Sequence, residues 1–218
     1  IIHRDVKPDN ILVAPDGDSR RAVLLDFGLA RPMEDNDKLT AAGVAVGSQY
    51  MGAGQFEKVV PTYMMNLLLS AGLGTLFAAT MHFFAGDIGR WMGMDAGLNA
   101  ISATYLSSIS AYFVFMGVLA AYNAILSSRG MTHWLMYSSF LVASLNLLLA
   151  SLFVFVFHWQ VGGIALASVI SVASATLLSI WLVHVRLQVR FRFKGIWREM
   201  CGVLPPLLRI GVANALEP

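Results

Sequence analysis

Side chains able to do chemistry gather in two short stretches near the start of the chain, "IIHRDVKPDNILV" and "LLDFGLAR". The first carries Asp5, Lys7 and Asn10, and the second carries Asp26. What chemistry they can do together depends on an element that gathers them. "NILV" and "AVLLDFG" read as two short strands, with "APDGDSRR" as the turn between them. Such a hairpin brings Asn10 and Asp26 near one another. On residue type alone, Asp and Asn in a loop more often serve as turn residues. The remaining candidates are three amides, Asn66, Asn123 and Asn146, each inside a long apolar run.

Those runs dominate the composition. Of 218 residues 57% are hydrophobic and only 13% charged, with a mean hydropathy of +0.66. Soluble domains carry about 25% charged residues. The charge is also uneven: residues 1–58 hold 16 of the 28 charged side chains. A break of that size argues for two regions of different origin. The net charge of +2 gives no sign of a nucleic-acid partner. The single cysteine, Cys201, excludes an internal disulfide and argues against a cysteine-based metal site. The chain opens on Ile rather than Met and no signal peptide precedes it, so the expectation is that Ile1 is not a natural start.

A helix needs about 20 mostly apolar residues to cross a bilayer core. No Asp, Glu, Lys or Arg occurs from Val59 to Gly86, from Ala96 to Ser128, or from Gly130 to Val185. The last gap is too long for one span and is broken by the polar stretch His158–Gly163. Four spans are therefore expected, at about 61–84, 106–127, 133–157 and 162–184, with a truncated fifth from about 202. The alternative is a buried soluble core, but soluble helices seldom run so long without a charged face. Lys58, Arg129 and the run from Arg186 to Arg198 alternate with charge-poor or balanced loops, which places both flanks of the four-span block in the cytoplasm. The basic run serves either as a positive-inside anchor or as a contact to anionic headgroups.

An amide facing lipid is costly, so Asn66, Asn123 and Asn146 should face another helix or a wet cavity. Two readings stay open: interhelical hydrogen bonds, or a substrate or ion path. His82, His133, His158 and His184 fall at or near helix ends, where an interfacial position is the default. Gly163, Ala167, Ser171, Ala175 and Ser179 form a small-residue stripe that lets a second helix approach closely.

"HRDVKPDN" followed by "DFG" resembles the catalytic core of eukaryotic-type Ser/Thr protein kinases. By that resemblance Asp5 takes the proton of the substrate hydroxyl, Lys7 neutralises charge on the transferred phosphoryl group, and Asn10 and Asp26 hold magnesium ions. "LARPMEDNDKLTAAGVAVG" fits the start of an activation segment. The kinase pattern then fails at "GSQYMGAGQ", and the Gly-rich loop, its lysine and its glutamate partner are absent from the chain.

Beyond that point "SQYMGAGQFEKVV", "RWMGMDAGLNAISATYL", "AILSSRGMTHWLMY", "VASLNLLLASLF", "VGGIALASVISVASATLL" and "LLRIGVANALEP" resemble, in order, successive segments of the multidrug and toxic compound extrusion (MATE) family. The resemblance covers roughly residues 44–218 and implies that family's third to sixth helices. The family has twelve helices in two lobes and exchanges Na+ or H+ for organic cations or other amphiphiles.

The expected fold is thus an all-α membrane bundle of about four helices, with a fragmentary kinase-like β-hairpin at the N-terminus. The expected division is residues 1–43, kinase-like, and 44–218, MATE-like, with the text switching between about Thr40 and Gly47. The chain reads as a chimeric fragment. Its expected function is that of a partial efflux antiporter, inactive by itself; the alternative is a membrane-attached Ser/Thr kinase. Asp5, Lys7, Asn10 and Asp26 are expected to be vestigial. No cofactor is expected, with Mg and ATP entering only if the kinase part were complete. The expected partners are the lipid bilayer, a small amphiphilic or cationic substrate, and Na+ or H+. The expected location is the plasma membrane.

Overall fold

The computed structural model describes residues 11–16, 19–24, 37–191 and 197–216, with the side chains of 42–191 and 197–210. The chain divides into two units, Ile1–Glu34 and Asp35–Pro218. In the first unit β1 (Ile11–Asp16) pairs antiparallel with β2 (Ser19–Leu24), in a register running from Ile11 opposite Leu24 to Asp16 opposite Ser19. Pairing therefore extends into the stretch expected to be the turn. Asp5, Lys7, Asn10 and Asp26 lie outside the described residues.

The second unit is helical among its described residues. It comprises α1 (Asp37–Gly52), α2 (Phe56–Phe83), the short α3 (Ala85–Trp91), α4 (Ala96–Ser128), α5 (His133–Ser151), α6 (Gln160–Trp181) and α7 (Trp197–Leu216). π-Helical turns extend α5 through Leu152–Val156 and α6 through Leu182–Arg186. Four helices are long and apolar enough to cross a membrane: Phe56–Phe83, Ala96–Ser128, His133–Val156 and Gln160–Arg186. The chain is an integral membrane protein of the all-α class.

Local chemistry sets the ends of these helices. The Asp95 carboxylate accepts from the backbone N–H groups of Gly97 and Leu98, capping α4. The cap starts α4 at Ala96, ahead of the expected start near 106. Pro61 has no N–H to donate to the preceding turn, and beside it Thr62 Oγ1 donates to the Lys58 carbonyl at 2.7 Å. α5 and α6 end alike. Trp159 N–H reaches back to the Phe153 carbonyl at 2.9 Å, and Val189 N–H to that of Val183 at 3.2 Å. Between donor and helix, His158 (φ 56°) and Gln188 (φ 52°) take the left-handed conformation that usually closes a helix.

The bundle is held by close helix crossings. α2 and α4 meet at Gly74 and Gly117: a Cβ on Gly74 would run into the Phe113 carbonyl oxygen, and one on Gly117 into that of Ser70. Only glycine lets two backbones approach so closely. α6 packs on both α4 and α5. All five positions of its small-residue stripe, Gly163, Ala167, Ser171, Ala175 and Ser179, are buried. Leu119 of α4 meets Val172 and Ala175 of α6, while Tyr63, Tyr122, Leu126 and Val183 form a second core joining α2, α4 and the end of α6.

α1 was not expected. It runs unbroken across residues 40–47, where the sequence changes character. Ala42 and Val46 are buried with Met64 and Met65 of α2 and with Met200, Val203 and Leu207 of α7. Four-residue spacing puts the first two side chains on one helix face.

Candidate functional site

The three intramembrane amides are placed differently. Asn146 of α5 donates through Nδ2 to Ser168 Oγ of α6 at 2.8 Å. Ser168 spends its own proton on the Ile164 carbonyl at 3.2 Å, so it must accept from Asn146. That fixes the amide's orientation and leaves its carbonyl oxygen with no donor among the described residues. Both side chains are half-buried. α5 is otherwise the least enclosed membrane-length helix.

Asn66 is 2% exposed and sits on α2 directly against Gly43 of α1, and its Oδ1 has no partner among the described residues. One turn on, Ser70 is also buried, and its hydroxyl has no partner among the described residues. Asn123 lies on α4 between Leu119 and Leu126, both of which pack toward α6, and its buried Oδ1 has no partner among the described residues. The hydroxyl of Ser179, on the α6 stripe between Ala175 and Leu182, likewise has no partner among the described residues. The structure therefore does not join the three amides into one site. Asn146 makes an interhelical bond; Asn66 and Asn123 are separate buried polar points.

Several polar contacts escaped sequence reasoning. Thr176 Oγ1 donates to Val172 O at 2.8 Å and also approaches Phe115 O of α4 at 3.2 Å. His184 is not a bare interfacial residue. Its Nδ1 lies 2.8 Å from the Val189 carbonyl, which can only accept, so Nδ1 carries a proton. Nε2 lies 2.9 Å from the Tyr122 hydroxyl, and Phe191 packs edge-on against the imidazole. The signal was weak: a histidine five residues before its carbonyl partner and 62 after its phenol.

The two acids between Val59 and Val185 have structural partners. Asp95 caps α4, and Asp87 pairs with Arg90 inside α3. Neither lies within a membrane-length helix, so these four helices carry no carboxylate from Val59 onward. Among the described residues no cluster of three or more His, Cys, Asp or Glu could hold a metal ion.

Comparison with known proteins gives two kinds of likeness. Over 49 residues the chain is 51% identical to the serine/threonine-protein kinase PknF of Mycobacterium tuberculosis, a stretch of 22% of this chain and 10% of that protein. Among solved structures, it is similar to a crystal structure of MATE in the bent conformation, with a TM-score of 0.75 and 22% identity, covering 84% of this chain and 41% of the other. It is also similar to the outward-facing conformation of a multidrug resistance MATE family transporter of the MOP superfamily, with a TM-score of 0.73, 22% identity and the same coverage. The chain thus spans about a tenth of the kinase and about two-fifths of each transporter chain. The MatE family profile matches residues 39–152, from inside α1 to the end of α5. With more than half of its length in that match and its helices arranged as in the MATE structures, the chain belongs to the MatE family.

Proposed function

We propose that this chain forms part of one lobe of an efflux transporter that exchanges Na+ or H+ for small amphiphilic or cationic molecules. The observation that carries the reading is the arrangement of the four membrane-length helices, which follows that of the MATE structures across a chain whose residues 39–152 match the MatE family. The Asn146–Ser168 bond ties α5 to α6 within that arrangement, and the Asn146 carbonyl oxygen, with no donor among the described residues, is the atom of the pair that suits a wet path. Asn66 and Asn123, each with a buried amide oxygen that has no partner among the described residues, are separate candidate points on such a path. In this reading Lys58 and the 186–198 run face the cytoplasm, an orientation the lysine and arginine bias supports, and the membrane is the plasma membrane.

In this reading the 218-residue chain alone does not perform coupled export. Alternating access uses two repeats that rock around a central site. Coupling also needs a group whose ion occupancy changes, and the membrane-length helices lack a carboxylate beyond their cytoplasmic ends. Cells expressing the chain should gain no resistance to cationic dyes over an empty vector. Resistance that collapses with the proton or sodium gradient would overturn that part of the reading.

The kinase-like stretch supports a second reading, favoured by its 51% identity to PknF. We infer a join between a kinase-like segment and a transporter lobe, with Asp5, Lys7, Asn10 and Asp26 vestigial. Calorimetry with Mg-ATP should show no binding to the purified chain. Binding that disappears in Asp26→Asn would instead favour a membrane-attached phosphotransferase.

A further inference from the structure

We propose that the cleft between α1, α2 and α7 binds the headgroup of a lipid with a primary ammonium and a phosphodiester, the phosphatidylethanolamine type. The cleft has a volume of about 440 Å³ and is lined by Tyr50, Glu57, Lys58, Glu199, Gly202 and Val203. That size lies within the range of small-molecule sites, about 300–1,000 Å³. It gathers residues from three helix ends: Tyr50 near the close of α1, Glu57 and Lys58 in the first turn of α2, and Glu199 in the first turn of α7.

Two observations set its depth in the membrane. α2 becomes charge-free immediately after Lys58, so the cleft sits where a membrane-length helix enters the bilayer. Exposed aromatics flank it, Phe56 at the start of α2 (68% exposed) and Trp197 at the start of α7 (66% exposed). Aromatic side chains favour the headgroup level, where one part is wet and the other apolar.

The charges then select among headgroups. Lys58 is held with Nζ 5.5 Å from the centre of the Tyr50 ring, a cation–π contact that orders it beside the cleft. It offers the phosphate a positive partner. Glu57 and Glu199 face the same space and have no ion-pair partner among the described residues. They suit a primary ammonium, which donates charge-assisted hydrogen bonds. A quaternary choline cannot donate to them. A purely anionic headgroup would satisfy Lys58 but meet two carboxylates. Gly202 and Val203 supply the apolar part of the lining.

The inference rests on α2 entering the membrane near Lys58. It does not rest on transport or on which side of the membrane this end faces, so its failure would leave the transport reading untouched. Native mass spectrometry of the full chain, extracted from vesicles with equal phosphatidylethanolamine, phosphatidylcholine and phosphatidylglycerol of matched acyl chains, provides the test. Retained phosphatidylethanolamine should exceed phosphatidylcholine by about tenfold, the discrimination one charge-assisted hydrogen bond supplies. In Glu57→Gln/Glu199→Gln the ratio should fall to about one. Lys58→Ala should lower retention of both lipids. Thermal unfolding of each variant shows whether it is still folded. Equal retention of the three lipids by the unaltered chain overturns the proposal, as does a preference that survives in the folded double variant. Displacement by millimolar soluble phosphoethanolamine, as effective as displacement by short-chain lipid, would overturn the lipid assignment in favour of a soluble ligand of the same chemistry.

Discussion

The hydroxyls of Tyr63 and Ser128 lie 2.6 Å apart in the buried interface between α2 and α4, 65 residues apart in sequence. Ser128 directs its own proton to the Ile125 carbonyl at 2.9 Å, so Tyr63 is the donor in the pair. The Tyr63 ring is also the surface on which α1 rests, because a Cβ at Gly47 would come within 2.9 Å of it. One side chain thus joins three helices at one end of the bundle.

The consequence is an asymmetry between two conservative substitutions. Tyr63→Phe removes the donor but leaves Ser128 bonded to Ile125, and should cost about 1 kcal/mol. Ser128→Ala strands a buried phenol, whose other neighbour is the weak acceptor Met51 Sδ at 3.5 Å, and should cost more, about 1–3 kcal/mol. Thermal unfolding in one detergent should rank them in that order. The reverse order would show that the pair is not what holds α2 to α4 here.

The α2–α4 crossing should tolerate nothing larger than glycine. In Gly117→Ala the new methyl meets the Ser70 backbone carbonyl rather than a movable side chain. The helices must separate, at a cost of about 1–3 kcal/mol. Gly72→Ala, on the same helix as Gly74 but with open space around its Cβ, should be neutral or slightly stabilising. Unfolding midpoints of the two alanine variants test this directly. Equal midpoints would count against the close approach.

Gln188 closes α6 in a left-handed conformation without being glycine. That conformation costs an L side chain about 1–2 kcal/mol, partly offset by the greater freedom of glycine when unfolded. Gln188→Gly should therefore stabilise by about 0.5–1 kcal/mol. His158→Gly should do the same at the end of α5, where φ is 56°. A destabilisation at either position would mean that its side chain makes a contact outweighing the backbone strain.

Topology can be read by chemistry. Cys201 is exposed and must first be replaced. A cysteine at Asp95, in the α3–α4 link, should react with a membrane-impermeant maleimide added to intact cells, and one at Arg192 should not. Labelling of Arg192→Cys from outside would invert the proposed orientation.

Three charge-free runs determined the membrane-length helices, because a bilayer core excludes unpaired charge whatever the tertiary arrangement. The α6 stripe was equally legible: small residues every fourth position put one narrow face in line, and all five are buried. What the sequence could not supply was the partner of each polar group. A helix that is apolar all round carries no hydrophobic face to say which side turns inward. Asn146 could equally have met water, lipid-shielding protein or another helix; packing against α6 decided for Ser168, 22 residues away. The same holds for His184 and Tyr122, and for Gly74 and Gly117, which look like any other glycines until the backbones cross. α1 was hidden for a different reason. Its buried positions, Ala42 and Val46, sit in a stretch whose text resembles a kinase segment. Only the packing of α2 and α7 against it made that stretch a helix within the bundle.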